Sequence, residues 1–116
     1  MSEQELLQQI KVLEEVEKIY PDMKSSVIRT FLMVCVHESI TITELANALG
    51  IPQPRISKYL SLLSDRHHKL QRYEDGYDLL YTEVDLEVRS KKRVYLTKKG
   101  QALRNRIVKI LGKINT

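Results

Sequence analysis

Residues Thr41–Ser64 run TITELANALGIPQPRISKYLSLLS. Thr43–Leu49 has the length and polarity of a short helix, with Thr41 or Thr43 as its cap. Gly50 suits the left-handed residue that ends a helix. Pro52 and Pro54 cannot lie in a helix interior but fit the first turn of a new one. A second helix is expected from Gln53 to Ser64. Two short helices joined by a tight glycine turn make a helix-turn-helix. Leu45, Leu49, Ile51, Ile56 and Tyr59 can all point inward to hold the pair at a steep angle. Ala46 is small where the helices cross, and Gly50 takes a backbone conformation that other residues resist.

With Ile56, Tyr59 or Leu60, and Leu63 turned inward, the second helix presents Gln53, Pro54, Arg55, Ser57, Lys58 and Ser61 outward. Arg can donate two hydrogen bonds to guanine, Gln can pair with adenine, and Ser accepts either partner. Pro54 offers only an apolar contact, such as with a thymine methyl. A helix start also favours an anion, although Pro54 removes one of its N–H groups. These residue types suit reading duplex DNA; the plainer alternative is a polar face with no ligand.

Beyond this unit, Gly76–Thr97 changes to a strand pattern. Tyr77, Leu79 and Tyr81 alternate with Asp78, Leu80 and Thr82, and Val94 and Leu96 with Arg93, Tyr95 and Thr97. The polar stretch Asp85–Lys92 reads as a hairpin tip carrying Arg89, Lys91 and Lys92. Such a ribbon can grip phosphates beside a reading helix. Glu83, Asp85 and Glu87 then have to face away or brace the cations. A last helix runs from Thr97 or Lys98 to Ile114, with an apolar stripe of Leu103, Ile107, Ile110, Leu111 and Ile114.

Before the unit, Ser2–Tyr20 reads as a helix opened by a Ser2/Glu5 capping box and closed by Pro21. Leu6, Ile10, Leu13, Val16 and Tyr20 form its stripe, widened by Leu7, Val12 and Ile19. Lys24–Glu38 is a second helix. Its centre, FLMVCV, is apolar on every side and is expected to be buried all round.

The 116 residues suit one domain, 1–116, in the range where a single core forms. A composition of 42% hydrophobic and 29% charged residues fits a globular chain. Net charge is +4, unevenly spread. Residues 1–22 carry six acids and two bases, residues 23–88 nine acids and seven bases, and residues 89–116 ten bases and no acid. This asymmetry suits a polyanion partner if the bases share a face. No apolar run spans a membrane and the first residues do not resemble a leader, so a cytoplasmic chain with no membrane partner is expected. The lone Cys35 excludes an internal disulfide and is read as a small buried hydrophobe rather than a redox switch. Asp65, His67 and His68 do not make a metal set, because adjacent His side chains rarely converge on one ion. The two histidines can instead meet phosphate. With no Gly-rich phosphate loop and no oriented nucleophile, neither a cofactor nor an enzyme is expected.

Helix, helix, ITELANALGIPQPRISKYLSLL, the basic hairpin LEVRSKKRVYLTKKG and a closing helix together resemble the MarR type of winged-helix regulator. The likeness covers nearly the whole chain, and Leu96-Thr97-x-x-Gly100 is its most typical short element. It implies a mainly α fold with a small β-hairpin wing, in a compact branch of phage and bacterial sequences. Residues 41–64 are then the helix-turn-helix, 76–97 the wing, and 1–22 and 98–116 the dimerisation helices. The family's wing motif is Asp-Arg-Arg; here Val88, Arg89 and Ser90 stand in its place, so only Arg89 carries over. The expected function is a sequence-specific double-stranded-DNA-binding transcriptional regulator, a repressor bound to an inverted repeat as a homodimer. No small-molecule inducer can be named from the residues. A separate physical reason favours the dimer: apolar stripes on the first and last helices exceed what a small core covers, and a two-fold pairing would bury them. The alternative is that both stripes pack within one chain. Two other functions compete: a winged-helix protein-interaction module in a phage or replication assembly, and a single-strand binder stacking bases on Tyr73, Tyr77, Tyr81 and Tyr95.

Overall fold

Helix starts and stops in the chain follow from identifiable caps. In the computed structural model, α1 spans Glu3–Ile19, α2 Ser25–Val36, α3 Ile42–Leu49 and α4 Gln53–Leu63. Strands β1 (Arg66–Lys69) and β2 (Arg72–Asp75) come next, then β3 (Leu80–Val84), β4 (Lys92–Leu96) and α5 (Lys98–Asn115). The structure describes residues 2–69 and 72–115, with the side chains of 66–75 and 113–115 outside the description.

Ser2 caps α1, its Oγ accepting from the Glu5 N–H at 3.2 Å. Thr41, rather than Thr43, caps α3 in a full capping box. Its Oγ1 accepts from the Glu44 N–H, and Glu44 Oε1 accepts from the Thr41 N–H, each at 3.1 Å. These bonds satisfy two amides that a helix start leaves open. They also hold the Glu44 carboxyl below its ordinary range. Gly50 ends α3 at φ 65°, the left-handed conformation foreseen for it. Pro52 then opens α4, with Pro54 in its first turn.

The core lies where α2, α3 and α4 meet the base of the wing and α5. Phe31, Val34, Leu45, Ile56, Leu63, Leu79, Leu80 and Val94 are all buried. Each such side chain contributes roughly 1.5–3 kcal/mol when fully withdrawn from water. Strands β3 and β4 pair antiparallel, Leu80 opposite Leu96 and Val84 opposite Lys92. Residues 39–41 close the other edge of β4. Ser39 N–H donates to Val94 O, Val94 N–H donates to Ile40 O, and Thr41 bridges to Arg93. The wing is thereby tied to the start of the helix-turn-helix.

The typical Leu96-Thr97-x-x-Gly100 element has a clear cause. Thr97 Oγ1 accepts from the Gly100 N–H at 2.9 Å and donates to Asp78 O at 2.6 Å. The Thr97 N–H donates to Leu79 O at 3.0 Å. A Cβ on Gly100 would run into the Leu79 carbonyl, so only glycine lets α5 start against β3.

Four expectations need correction. Helix α1 has a buried row and, beside it, an exposed apolar row rather than one broad covered stripe. Gln8, Val12 and Val16 face inward, while Leu6, Ile10 and Leu13 are 45–50% exposed. Their i, i+4, i+7 spacing sets them on the flank beside the buried row, where Leu13 still borders Val12, Ile107 and Leu111. Helix α2 is not buried all round: Leu32, Met33 and Cys35 are half-buried and Val36 is 69% exposed. Burial nonetheless pushes the Cys35 thiol up to about 12, so it stays protonated and unreactive, as a small hydrophobe would. The segment DRHHKLQRYED, given no element from its sequence, contains the antiparallel β1–β2 hairpin. Finally, β3 begins at Leu80 rather than near Tyr77. Asp78 sits at φ 56°, which breaks the extended run and buries both Leu79 and Leu80.

Within one chain α1 also packs on α5. Glu15 pairs with Arg106 at 3.2 Å, and Gln8 Nε2 donates to Leu111 O at 3.2 Å. The acidic first helix thus meets the basic last one within the protomer. Packing within the chain accounts for the inner strip of α1 and leaves its outer strip uncovered.

Candidate nucleic-acid interface

Helix α4 buries Ile56, Leu60 and Leu63 and exposes Gln53, Pro54, Arg55, Ser57 and Lys58; Ser61 is half-buried. Helical spacing sorts these residues further. Pro54 and Lys58, at i and i+4, form the crest, and the half-buried Ser61 lies between it and the Ser57 flank. Arg55 lies on one flank, beside a cleft it shares with Asp22, Lys58 and Tyr77. Ser57 lies on the other, beside a cleft of about 230 Å³ shared with Ser61, Thr82 and Lys92. The residues read as one outward face therefore point in three directions.

The start of α4 is a poorer anion site than its position suggests. Pro52 and Pro54 have no N–H, and the Arg55 N–H donates to Pro52 O at 3.0 Å. At most the Gln53 amide can face an anion there.

The wing tip is held by one carboxylate. Asp85 Oδ1 accepts from the N–H groups of Glu87 at 2.8 Å and Val88 at 3.2 Å. Its Oδ2 accepts from Arg93 Nε at 2.8 Å, and Arg93 also donates to Ser39 O at 2.9 Å. The two amides, and then the guanidinium, hold the Asp85 carboxyl below the usual carboxylate range. The same pairing pushes Arg93 up. Asp85 therefore braces Arg93 and the tip backbone rather than the three cations singled out from the sequence. Arg89, Lys91 and Lys92 are all exposed, and among the described residues neither they nor Arg55 and Lys58 form an ion pair. Among the described residues, five cations without an ion pair thus lie on α4 and the wing, an arrangement that favours a polyanion.

Among the described residues, the tyrosines singled out from the sequence pack on other tyrosines. Tyr81 and Tyr95, cross-strand partners in the wing, stack on each other at 5.4 Å. Tyr77 packs edge-on against Tyr20 at 4.9 Å. The side chains of Tyr73, His67 and His68 lie outside the described residues. Among the described residues no His, Cys, Asp and Glu cluster could hold a metal ion, and no helix is long and apolar enough to cross a membrane. Sequence reading missed Arg93 as the brace of the tip and Thr82 as a lining residue. Thr82 shares the alternating row of Leu80, and only the burial of Leu80 marks that row as the one facing α4.

No protein-family model matches the sequence, and a search of curated proteins found no match. Solved structures do match. The chain is similar to the S. aureus MepR–DNA complex at TM-score 0.71 and 19% identity, over 94% of this chain and 80% of that one. It is similar to the transcriptional repressor CouR bound to a 23-mer DNA duplex, at TM-score 0.63 and 23% identity, over 90% of this chain and 67% of that one. A mutant of MarR from E. coli matches at TM-score 0.67 and 13% identity, over 97% of this chain and 74% of that one. The fold of the chain is the MarR-like winged helix, the one its sequence resembles.

Proposed function

We propose that the chain is a sequence-specific, double-stranded-DNA-binding transcriptional regulator of the MarR kind, acting as a repressor that binds an inverted repeat as a homodimer. The observation that carries this reading is the pairing of an exposed, polar and cationic face on α4 with an unpaired cationic wing tip beside it. Gln53, Arg55 and Lys58 enter the major groove with Pro54, while Ser57 and Ser61 follow along the same helix. Arg89, Lys91 and Lys92 hold the backbone nearby. The fold lends support, since MepR and CouR have been solved on DNA with the same architecture.

The dimer rests on Leu6, Ile10 and Leu13, whose exposure leaves an apolar strip in water. Residues 1–22 and 98–116 supply the two helices that pair across the two-fold axis. Two reading helices are then set about one DNA turn apart, roughly 34–36 Å. Selection of bound duplexes from a random pool tests the whole reading. A recovered palindrome is expected. Retention that ignores sequence, or a preference for single strands, would overturn it.

A further inference from the structure

The cleft between α4 and the wing differs from the others around the helix-turn-helix. Its floor is made by the buried Leu60 and Leu80. Its rim carries Ser57 and Ser61 from the helix, and Thr82 and Lys92 from the strands. Thr82 and Lys92 share one sheet face with Leu80, because Leu80, Thr82 and Val84 alternate along β3 and Val84 pairs with Lys92. Among the described residues no carboxylate lines this cleft, whereas its neighbours include Glu38 and Glu44, or Asp22. Among the described residues, no hydrogen bond within the chain engages the hydroxyls of Ser57, Ser61 or Thr82. Ser64, deeper in, is already committed, donating to Ser61 O at 2.7 Å.

We infer that this cleft seats one phosphodiester of a bound duplex strand. Ser57, Ser61 and Thr82 donate to its oxygens, and the Lys92 ammonium supplies the counter-charge. The position follows from groove geometry. The crest of α4 faces the groove floor, where base edges lie, and the strand bounding the groove passes at its rim. The cleft lies at that rim, between the two elements that straddle the strand. Three hydroxyl donors and one cation over an apolar floor match a singly charged phosphodiester, which offers acceptors only. Ser57 and Ser61 therefore position the helix rather than read bases, and Thr82 joins them as a contact that the sequence does not flag.

This inference rests on the duplex-binding reading, and its test separates the two. The full chain is measured on the duplex recovered by selection, on unrelated duplexes and on single strands. Thr82→Val, which keeps the strand's shape, and Ser61→Ala should each weaken all duplexes alike by about ten-fold. Neither should alter sequence preference or salt slope. Lys92→Gln should also lower the slope by about 0.9. The Thr82/Ser61 double variant should lose less than the product of the two, since both hold one group. Replacing backbone phosphates one at a time by methylphosphonate should reveal one position per half-site that weakens the parent chain and costs Thr82→Val nothing further. Variants that bind every duplex as the parent does overturn the inference alone, as does a Thr82→Val change in preference at a base position. A parent chain that shows no preference for duplex overturns the functional reading and this inference with it.

Discussion

Helices α1 and α4 both bury one side and leave the other in water, yet what they expose is opposite in kind. The outer face of α4 is Pro54 and Lys58, flanked by Arg55 on one side and by Ser57 and Ser61 on the other. The outer row of α1 is Leu6, Ile10 and Leu13. Water tolerates the first and penalises the second. A polar, cationic face can wait for a charged ligand at little cost, whereas an apolar strip loses roughly 25 cal/mol for each Å² left uncovered. The chemistry of the uncovered side is what separates the face proposed for nucleic acid from the face proposed for another protein chain.

The largest effect should come from breaking the apolar side. Replacing both Ile10 and Leu13 with Glu should convert a dimer to a monomer, seen by sedimentation, and weaken binding to the full inverted repeat by about a hundred-fold through lost avidity. A double variant that stays dimeric would show that the outer strip of α1 is not the interface. The next effect lies on the polar side. Arg55→Ala should cost about 1–3 kcal/mol and relax choice at one base position, read by repeating the duplex selection. An unchanged preference would mean that α4 docks differently. Lys91→Ala should weaken all duplexes alike and lower the salt slope by about 0.9, read from affinity at several salt concentrations. Because a wing cation carries no sequence information, a change in preference here would contradict the division of labour between the helix and the wing.

The smallest effect concerns pH. The folded-state value of Asp85 is depressed, chiefly by the amides of Glu87 and Val88 and then by Arg93. A depressed carboxylate stabilises the tip at pH above its unfolded value, near 3.9, and that contribution is lost as pH falls through the folded value. Titration of Asp85 followed by NMR should give a midpoint below about 3.9. A midpoint at or above that value would mean that the tip is not held as described.

The helix-turn-helix was legible because its signals are local: a cap at Thr41, a left-handed Gly50, and prolines confined to the opening turn of α4. What was not legible depended on long-range packing. Periodicity finds the apolar residues of α1 but cannot say which of two strips meets the core, and one wide stripe was the result. The β1–β2 hairpin is built from polar residues, so no alternation marks it. The start of β3 is read too early because Asp78 takes a left-handed conformation that interrupts the extended run. At the candidate site the residue types are evident, and helical spacing alone parts Arg55 from Ser57. What the sequence does not show is the position of the wing, which turns the Ser57 flank into a cleft.

The junction at Thr97 and Gly100 has a mechanical consequence. One threonine side chain both begins α5 and fastens it to the turn before β3, and the missing Cβ on Gly100 lets helix and strand touch. These contacts oppose any swivel of the flap against the closing helix at that point. If two copies join through their closing helices, the span between their flaps is fixed like the gap of a caliper. Operators whose halves are one base pair too near or too far would then be rejected by rigidity, with no unfavourable contact to any base.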